Sequence, residues 1–239
     1  MKKLALIILV INIFSAGIIF AQQDKNEKAT EKVYLVDDFE SGINWQVYNG
    51  EHSKPEWLNN DPLLSLIPGA PKNLDKKYVI DRKWYYYLHE NENKYCMGVK
   101  FKMNHIGDTR KFIIPIRQIA LPGICKEISF YVNGRNKKLR LRVMFKDYIG
   151  YIHTLETSPL LLDFYGWKKV VITDIDKKIS QVNKFDINYK PLKIIAFVID
   201  NPYKKIYYKP IYFYLDNLTA KCVTYNIPSY DGDNIIDKW

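Results

Sequence analysis

Apolar and polar positions alternate most cleanly around Leu139 to Lys146: Leu139, Leu141, Val143 and Phe145 fall on one side, and Arg140, Arg142, Met144 and Lys146 on the other. A period of two is that of a half-buried strand. Asp147-Tyr148-Ile149-Gly150 supplies turn chemistry, and Tyr151 to Leu155 resumes the β-rich run, so the pair predicts an antiparallel hairpin. Further strands are predicted at Val33–Glu40, Lys77–Leu88, Met97–Met103, Lys111–Arg117, Ile128–Asn133 and Trp167–Thr173. Met97–Met103 and Lys111–Arg117, separated by Gly107-Asp108, are expected to pair. Leu192–Ile199 is apolar at every position but one, the pattern of a central strand covered on both faces. Lys209–Thr224, with Tyr212 to Asp216 inside it, predicts a closing strand. Between these lie turns such as Pro68-Gly69-Ala70-Pro71, a loop region over Ser41–Asp75 that contains Trp45 and Trp57, and a polar stretch, Asp176–Pro191, with room for a short helical turn. Eight to ten short strands separated by turns predict an all-β antiparallel β-sandwich.

The two ends of the chain follow other patterns. Met1-Lys2-Lys3, the apolar run Leu4–Phe20 and Ala21 form the three parts of a secretory signal, so residues 1–21 are expected to be a signal peptide cut before Gln22, leaving no membrane span. Residues 22–32 then read as a flexible lead-in, 33–225 as the sandwich domain and 226–239 as a polar tail. Removing residues 1–21 takes two lysines and no acid, leaving 34 basic against 26 acidic residues and a formal charge of +8. For an exported chain such a surface points to acidic proteins, anionic lipid or cell-wall polymers and not to nucleic acid. Three cysteines, Cys96, Cys125 and Cys222, allow one disulfide and one thiol in an oxidising compartment, and the sequence does not choose the pair; three buried free thiols are the other reading.

Several of these segments together resemble the spirochaetal FlaA family, the outer-layer (sheath) proteins of the periplasmic flagellar filament. The residues that carry the resemblance are Phe130–Gly134 ending in Asn-Gly, the Asp-Tyr-x-Gly-x-x-His-Thr-Leu run from Asp147 to Leu155, and Gly166-Trp167-Lys168 before an apolar strand. It extends to Leu66–Pro71, Met97–Lys100, Leu121–Ile124, Phe197–Ile199 and Tyr212–Asp216. Tyr131 stands where the family often has Trp, the stretch after Ile175 lacks the usual prolines, and the chain is shorter than typical members, which points to a divergent or second sheath paralogue. The resemblance implies a jelly-roll-like sandwich, as in galactose-binding and carbohydrate-binding modules. It also implies a non-enzymatic structural subunit on the periplasmic flagellum, with the core flagellin and other sheath subunits as partners. The alternative is a periplasmic carbohydrate-binding module without catalysis.

Candidate chemistry is sparse. There is no Gly-x-Ser-x-Gly elbow, no His-Glu-x-x-His and no phosphate-binding glycine loop, and His52, His89, His105 and His153 are scattered. Asp37, Asp38, Glu40 and Asp216 would come together if the first and last strands are neighbours. They are candidate ligands for a structural calcium ion, while carboxylates capping turns are the simpler reading. For partner contact the candidates are Arg135, Lys137, Lys138, Arg140, Arg142 and Lys146, six cations within twelve residues, with Tyr148 and Tyr151 at the hairpin turn.

Overall fold

Two layers of antiparallel strands, joined by one strand that belongs to both, make up the described part of the chain. The computed structural model describes residues 30–40, 44–49, 64–72, 93–103, 110–181 and 191–224. Twelve strands are formed among them: β1 Thr30–Asp37, β2 Trp45–Asn49, β3 Leu64–Pro68, β4 Tyr95–Met103, β5 Arg110–Pro115, β6 Ile119–Ala120, β7 Ile124–Arg135, β8 Arg140–Lys146, β9 Ile152–Leu161, β10 Tyr165–Ile172, β11 Lys193–Asp200 and β12 Tyr207–Thr224. One helical turn, α1 Ile175–Lys178, is the single helix among the described residues. The all-β expectation is met.

The first sheet runs β10-β7-β12-β4-β3, with β1 also on β12; the second runs β2-β5-β11-β8-β9, with β6 on β11. Strand β9 closes the connection, pairing β8 from Ile152 to Glu156 and again at Leu161, while its Ser158 meets Val171 of β10. The predicted hairpin is present, with Val143 opposite Leu155 and Phe145 opposite His153. Its buried side is the predicted one: Leu139, Leu141, Val143 and Phe145 are at most 1% exposed. Strand β11 lies between β5 and β8, and Ala196 to Asp200 are all buried, as the two-sided apolar pattern required.

Other expectations are corrected. Strands β4 and β5 do not pair with each other: β4 lies between β12 and β3 in the first sheet, whereas β5 lies between β2 and β11 in the second. Short-range turn signals cannot distinguish a hairpin from a crossover between layers. The stretch read as loop from Ser41 holds β2 and β3, both only five residues long. Strand β1 starts at Thr30, inside the expected lead-in. The predicted signal segment, Trp57, the Lys77–Leu88 strand and the C-terminal tail lie outside the described residues.

Aromatic side chains from both sheets meet in the core. Phe197 of β11 packs edge-on against Phe130 of β7 at 5.0 Å between ring centres and, tilted by 35°, against Trp45 of β2 at 5.1 Å. Edge-on and tilted packing at this spacing suits the ring quadrupoles. Because Phe197 touches a ring from each layer, it locks the sheets face to face. Residues Glu31–Thr224 form one compact unit around this core.

Candidate functional site

At one end of the first sheet, β1 pairs with β12, and of the predicted carboxylates Asp38 and Glu40 come near enough to Asp216 to act on it. Asp216 of β12 is fully buried, and burial, with the charges of Glu40 and Asp38 added, pushes its carboxyl up to about 8. Donors from Asn93 and from the Asn217 backbone offset only part of that effect. Burial likewise pushes Asp37 up to about 6, although its oxygens accept the Phe39 N–H at 2.8 Å and the Trp45 indole N–H at 2.9 Å. Asp38 accepts the Glu40 N–H at 3.0 Å, and one Glu40 oxygen accepts the N–H groups of Lys94 and Tyr95 at 2.6 and 2.8 Å. Cys96, on the neighbouring strand β4, has its thiol pushed up to about 12 by burial, then by Asp216 and Glu40.

Asp38 and Glu40 thus lie within electrostatic reach of Asp216, yet most of the named oxygens of the four carboxylates serve the protein's own N–H donors, the role of turn-capping groups. Of the oxygens of these four carboxylates, Asp216 Oδ1 is buried without a hydrogen-bond partner. Among the described residues no three Asp, Glu, His or Cys side chains are arranged to hold a metal ion. Two of the four candidate carboxyls, Asp37 and Asp216, are biased by desolvation toward the neutral form.

The row of cations is divided by the fold. Arg135 ends β7 in the first sheet, where its Nη2 donates to Tyr214 Oη at 3.0 Å and its guanidinium lies 5.2 Å over the Tyr214 ring. Lys137, in the connection to β8, sits 5.8 Å over the Tyr207 ring. Arg140, Arg142 and Lys146 belong to β8, in the second sheet. The six therefore do not form one continuous face, because the chain changes layers between Arg135 and Arg140.

Two of them also have acids opposite. Arg142 Nη2 lies 2.5 Å from Asp200 Oδ2 of β11, an ion contact without aligned hydrogen-bond geometry, since Asp200 Oδ2 and Arg142 Nε are left unsatisfied. Arg110 of β5 holds Asp200 Oδ1 at 2.7 Å, so one carboxylate ties three adjacent strands. Arg140 Nη1 stands 3.6 Å from Glu156. Lys138 is exposed and Lys146 half-buried. In the sequence Asp147 was the nearest acid to this row; across the sheet, Asp200 and Glu156 are nearer to the arginines.

At the β8–β9 turn the sequence and structure agree. Asp147 is buried, and its Oδ1 accepts the N–H groups of Ile149, Gly150 and Tyr151 at 3.0, 2.8 and 2.9 Å. Its Oδ2 lies 2.8 Å from His153 Nε2. Burial raises the Asp147 carboxyl, but His153 and the three backbone donors outweigh it and hold the group below its ordinary value. Gly150 has φ of 107°, a conformation that favours glycine. His153 is thus part of the brace that fixes the turn.

What this braced turn displays is apolar. Tyr151 is 67% exposed, Ile149 62% and Ile152 58%, while Tyr148 is half-buried. Ile116, in the connection from β5 to β6, is exposed at the same end of the sheet, since β6 and the end of β8 flank the start of β11. Sequence reasoning had singled out Tyr148 and Tyr151 but missed Ile149 and Ile152. The signal available was two isoleucines in a turn whose Asp and Gly already account for its geometry. A fixed, exposed apolar cluster is a candidate contact surface.

No protein-family model matches the sequence. Solved structures superpose loosely, at low identity. A family 11 carbohydrate-binding module from Clostridium thermocellum in complex with a mixed-linked tetrasaccharide gives a TM-score of 0.41 at 16% identity, covering 81% of this chain and 98% of that one. A β-1,2-glucanase from Parabacteroides distasonis gives 0.44 at 14% identity, covering 81% of this chain and 25% of that one. No helix among the described residues is long and apolar enough to cross a membrane. A curated protein of Brachyspira hyodysenteriae, under the provisional name of flagellar filament outer layer-like protein, is 27% identical over 221 residues, 91% of this chain and 92% of its own length. Over nearly its whole length, the chain is therefore similar to a flagellar filament outer layer-like protein, the resemblance its motifs carried.

Proposed function

We propose that this chain is a non-catalytic sheath subunit that coats the flagellin core of a periplasmic flagellar filament. The observation that carries the proposal is the end-to-end likeness to the outer layer-like relative, matching both chains over nine-tenths of their length. In this reading residues 1–21 direct export to the periplasm, and the mature chain starts at Gln22. Each subunit docks through the apolar tip of the β8–β9 hairpin, assisted by Lys146 at the end of β8, on the core and on neighbouring subunits. Weak contacts repeated along a fibre sum to a firm attachment. A coat of β-sandwiches held in this way stiffens the filament and biases its shape, and so contributes to motility.

The deciding experiment is mass spectrometry of purified periplasmic filaments, joined to co-sedimentation of the purified protein with core filaments and, separately, with peptidoglycan. The proposal expects the chain in the filaments and in the filament pellet. A chain absent from filaments that pellets with peptidoglycan would replace it with the carbohydrate-binding reading.

A further inference from the structure

Strands β7 and β12 run antiparallel, and their register places Cys222 directly opposite Cys125. Both side chains point into the core, each 0% exposed. An irregularity makes this possible: between Lys221 and Cys222 the pairing skips a residue on β7, which leaves Lys126 as the extra residue of a bulge. In a regular strand Cys125 and Ile128, three positions apart, would face opposite sides; with the bulge both are buried inward.

The backbone around Cys125 defines the kind of pair. Its N–H donates to Gln181 Oε1 at 2.7 Å, and its C=O accepts from Gln181 Nε2 at 2.6 Å. In an extended residue these two groups point to one side, so both face away from β12. The Cys125–Cys222 pair is therefore a non-hydrogen-bonded one, in which opposed Cα atoms approach to about 4.5 Å. That spacing falls inside the range of roughly 4.4–6.8 Å that a disulfide spans. Close approach is enforced beside the pair as well: a Cβ on Gly123 (φ 63°) would meet Val223 O at 2.2 Å.

We propose that Cys125 and Cys222 close a cross-strand disulfide as the chain folds in the presence of a disulfide donor, leaving Cys96 as the free thiol. In the cell such a donor belongs to an oxidising compartment, so this part rests on the export reading. The reaction is two successive thiol–disulfide exchanges. The thiolate of one cysteine attacks the donor disulfide, and a mixed disulfide forms as one donor sulfur leaves as a thiol. The second cysteine then attacks its partner's sulfur and expels the other donor sulfur. The pair loses two electrons and two protons, and the donor becomes a dithiol or two thiols.

Timing follows from burial. In the folded chain burial, and then the neighbouring Cys222, push the Cys125 thiol well above its ordinary range, which suppresses the thiolate needed for attack. Exchange therefore precedes the docking of β12 on β7, and the completed bond is shielded from reductant. Cys96 has another environment: its thiol lies 3.5 Å from the Ile67 carbonyl on the far side of β4 from β12.

The test refolds full-length mature protein from denaturant with glutathione and glutathione disulfide, then unfolds it in alkylating agent and maps the peptides. The expected product carries one alkyl group, on Cys96, and a linked peptide pair containing Cys125 and Cys222. Cys96→Ser should give the same linked pair and no alkylated cysteine. Three alkylated cysteines, or a bond that includes Cys96, would overturn the pairing. The in-cell arm quenches cells in acid before alkylation. A bond found there supports both the pairing and export. Reduced protein in cells, with the bond formed on refolding, would keep the pairing and count against export.

Discussion

Replacing Arg142 with serine tests whether the polar side of β8 is a solvated row or part of the sheet's own electrostatic frame. By sequence alone the substitution preserves the alternation and should leave folding intact. In the structure it removes the closer of the two cations on Asp200, whose side chain is only 11% exposed, and the Arg142 side chain itself is 19% exposed. Breaking a fully buried pair costs about 3–5 kcal/mol, whereas exposed pairs contribute about 0–1 kcal/mol. Arg110, half exposed, remains 2.7 Å from the other Asp200 oxygen and retains part of the compensation. The expected loss is therefore intermediate, about 2 kcal/mol. For a domain of this size that corresponds to a fall in melting temperature of roughly 4–8 °C. Arg140→Ser is the internal control, because its partner Glu156 is 3.6 Å away and the side chains are 34% and 57% exposed. It should stay within about 0.5 kcal/mol of wild type.

The assay is urea unfolding of wild type, Arg142→Ser, Asp200→Asn and the double variant, at low and at 1 M salt. A coupling energy of about 1–2 kcal/mol is expected from the cycle, and most of it should survive high salt because the pair is largely shielded from solvent. If Arg142→Ser matched Arg140→Ser and the coupling vanished, Arg142 would be an ordinary surface residue. The result also governs binding experiments, since weaker filament attachment by an Arg142 variant would reflect damaged folding as much as lost charge.

Other expectations concern the hairpin turn and the acidic corner. Asp147→Asn should cost about 1–2 kcal/mol at neutral pH through weakened charge-assisted hydrogen bonds. The carboxyl is held below its ordinary value in the folded state. The stability it contributes is thus complete above the ordinary carboxylate range and is lost as pH falls through the depressed value, so wild type and variant should converge in acid. Tyr151→Ser combined with Ile152→Ser, both on the exposed tip, should reduce co-sedimentation with core filaments by roughly fivefold while leaving the melting curve nearly unchanged; equal pelleting would remove the tip from the interface. Chelator and excess calcium should shift the melting temperature by less than about 1 °C, because Asp37, Asp38 and Glu40 already accept protein donors. A clear rise with calcium would instead assign a cation to these carboxylates and Asp216.

Local pattern and tertiary placement divided the description of this protein between them. The alternation from Leu139 to Phe145 was enough to place β8, its buried side and its turn into β9, because a period of two and an Asp-x-x-Gly turn depend on residues a few positions apart. The two-sided apolar run at Leu192–Ile199 likewise announced a central strand, and the pairing of β1 with β12 brought Asp38 and Glu40 to Asp216 as anticipated. Apart from that first-to-last pairing, which is common in sandwiches, partnership between strands was not legible, because sheet hydrogen bonds join backbones and carry little trace of the side chains that select them. Hence β4 and β5, neighbours in sequence, lie in different sheets. For the same reason a row of six cations separated into two groups, with Asp200, some sixty residues away, holding two arginines from flanking strands. The pairing of Cys125 with Cys222 depended on a one-residue bulge that no spacing rule foretells, since only the packed core selects the register that buries both.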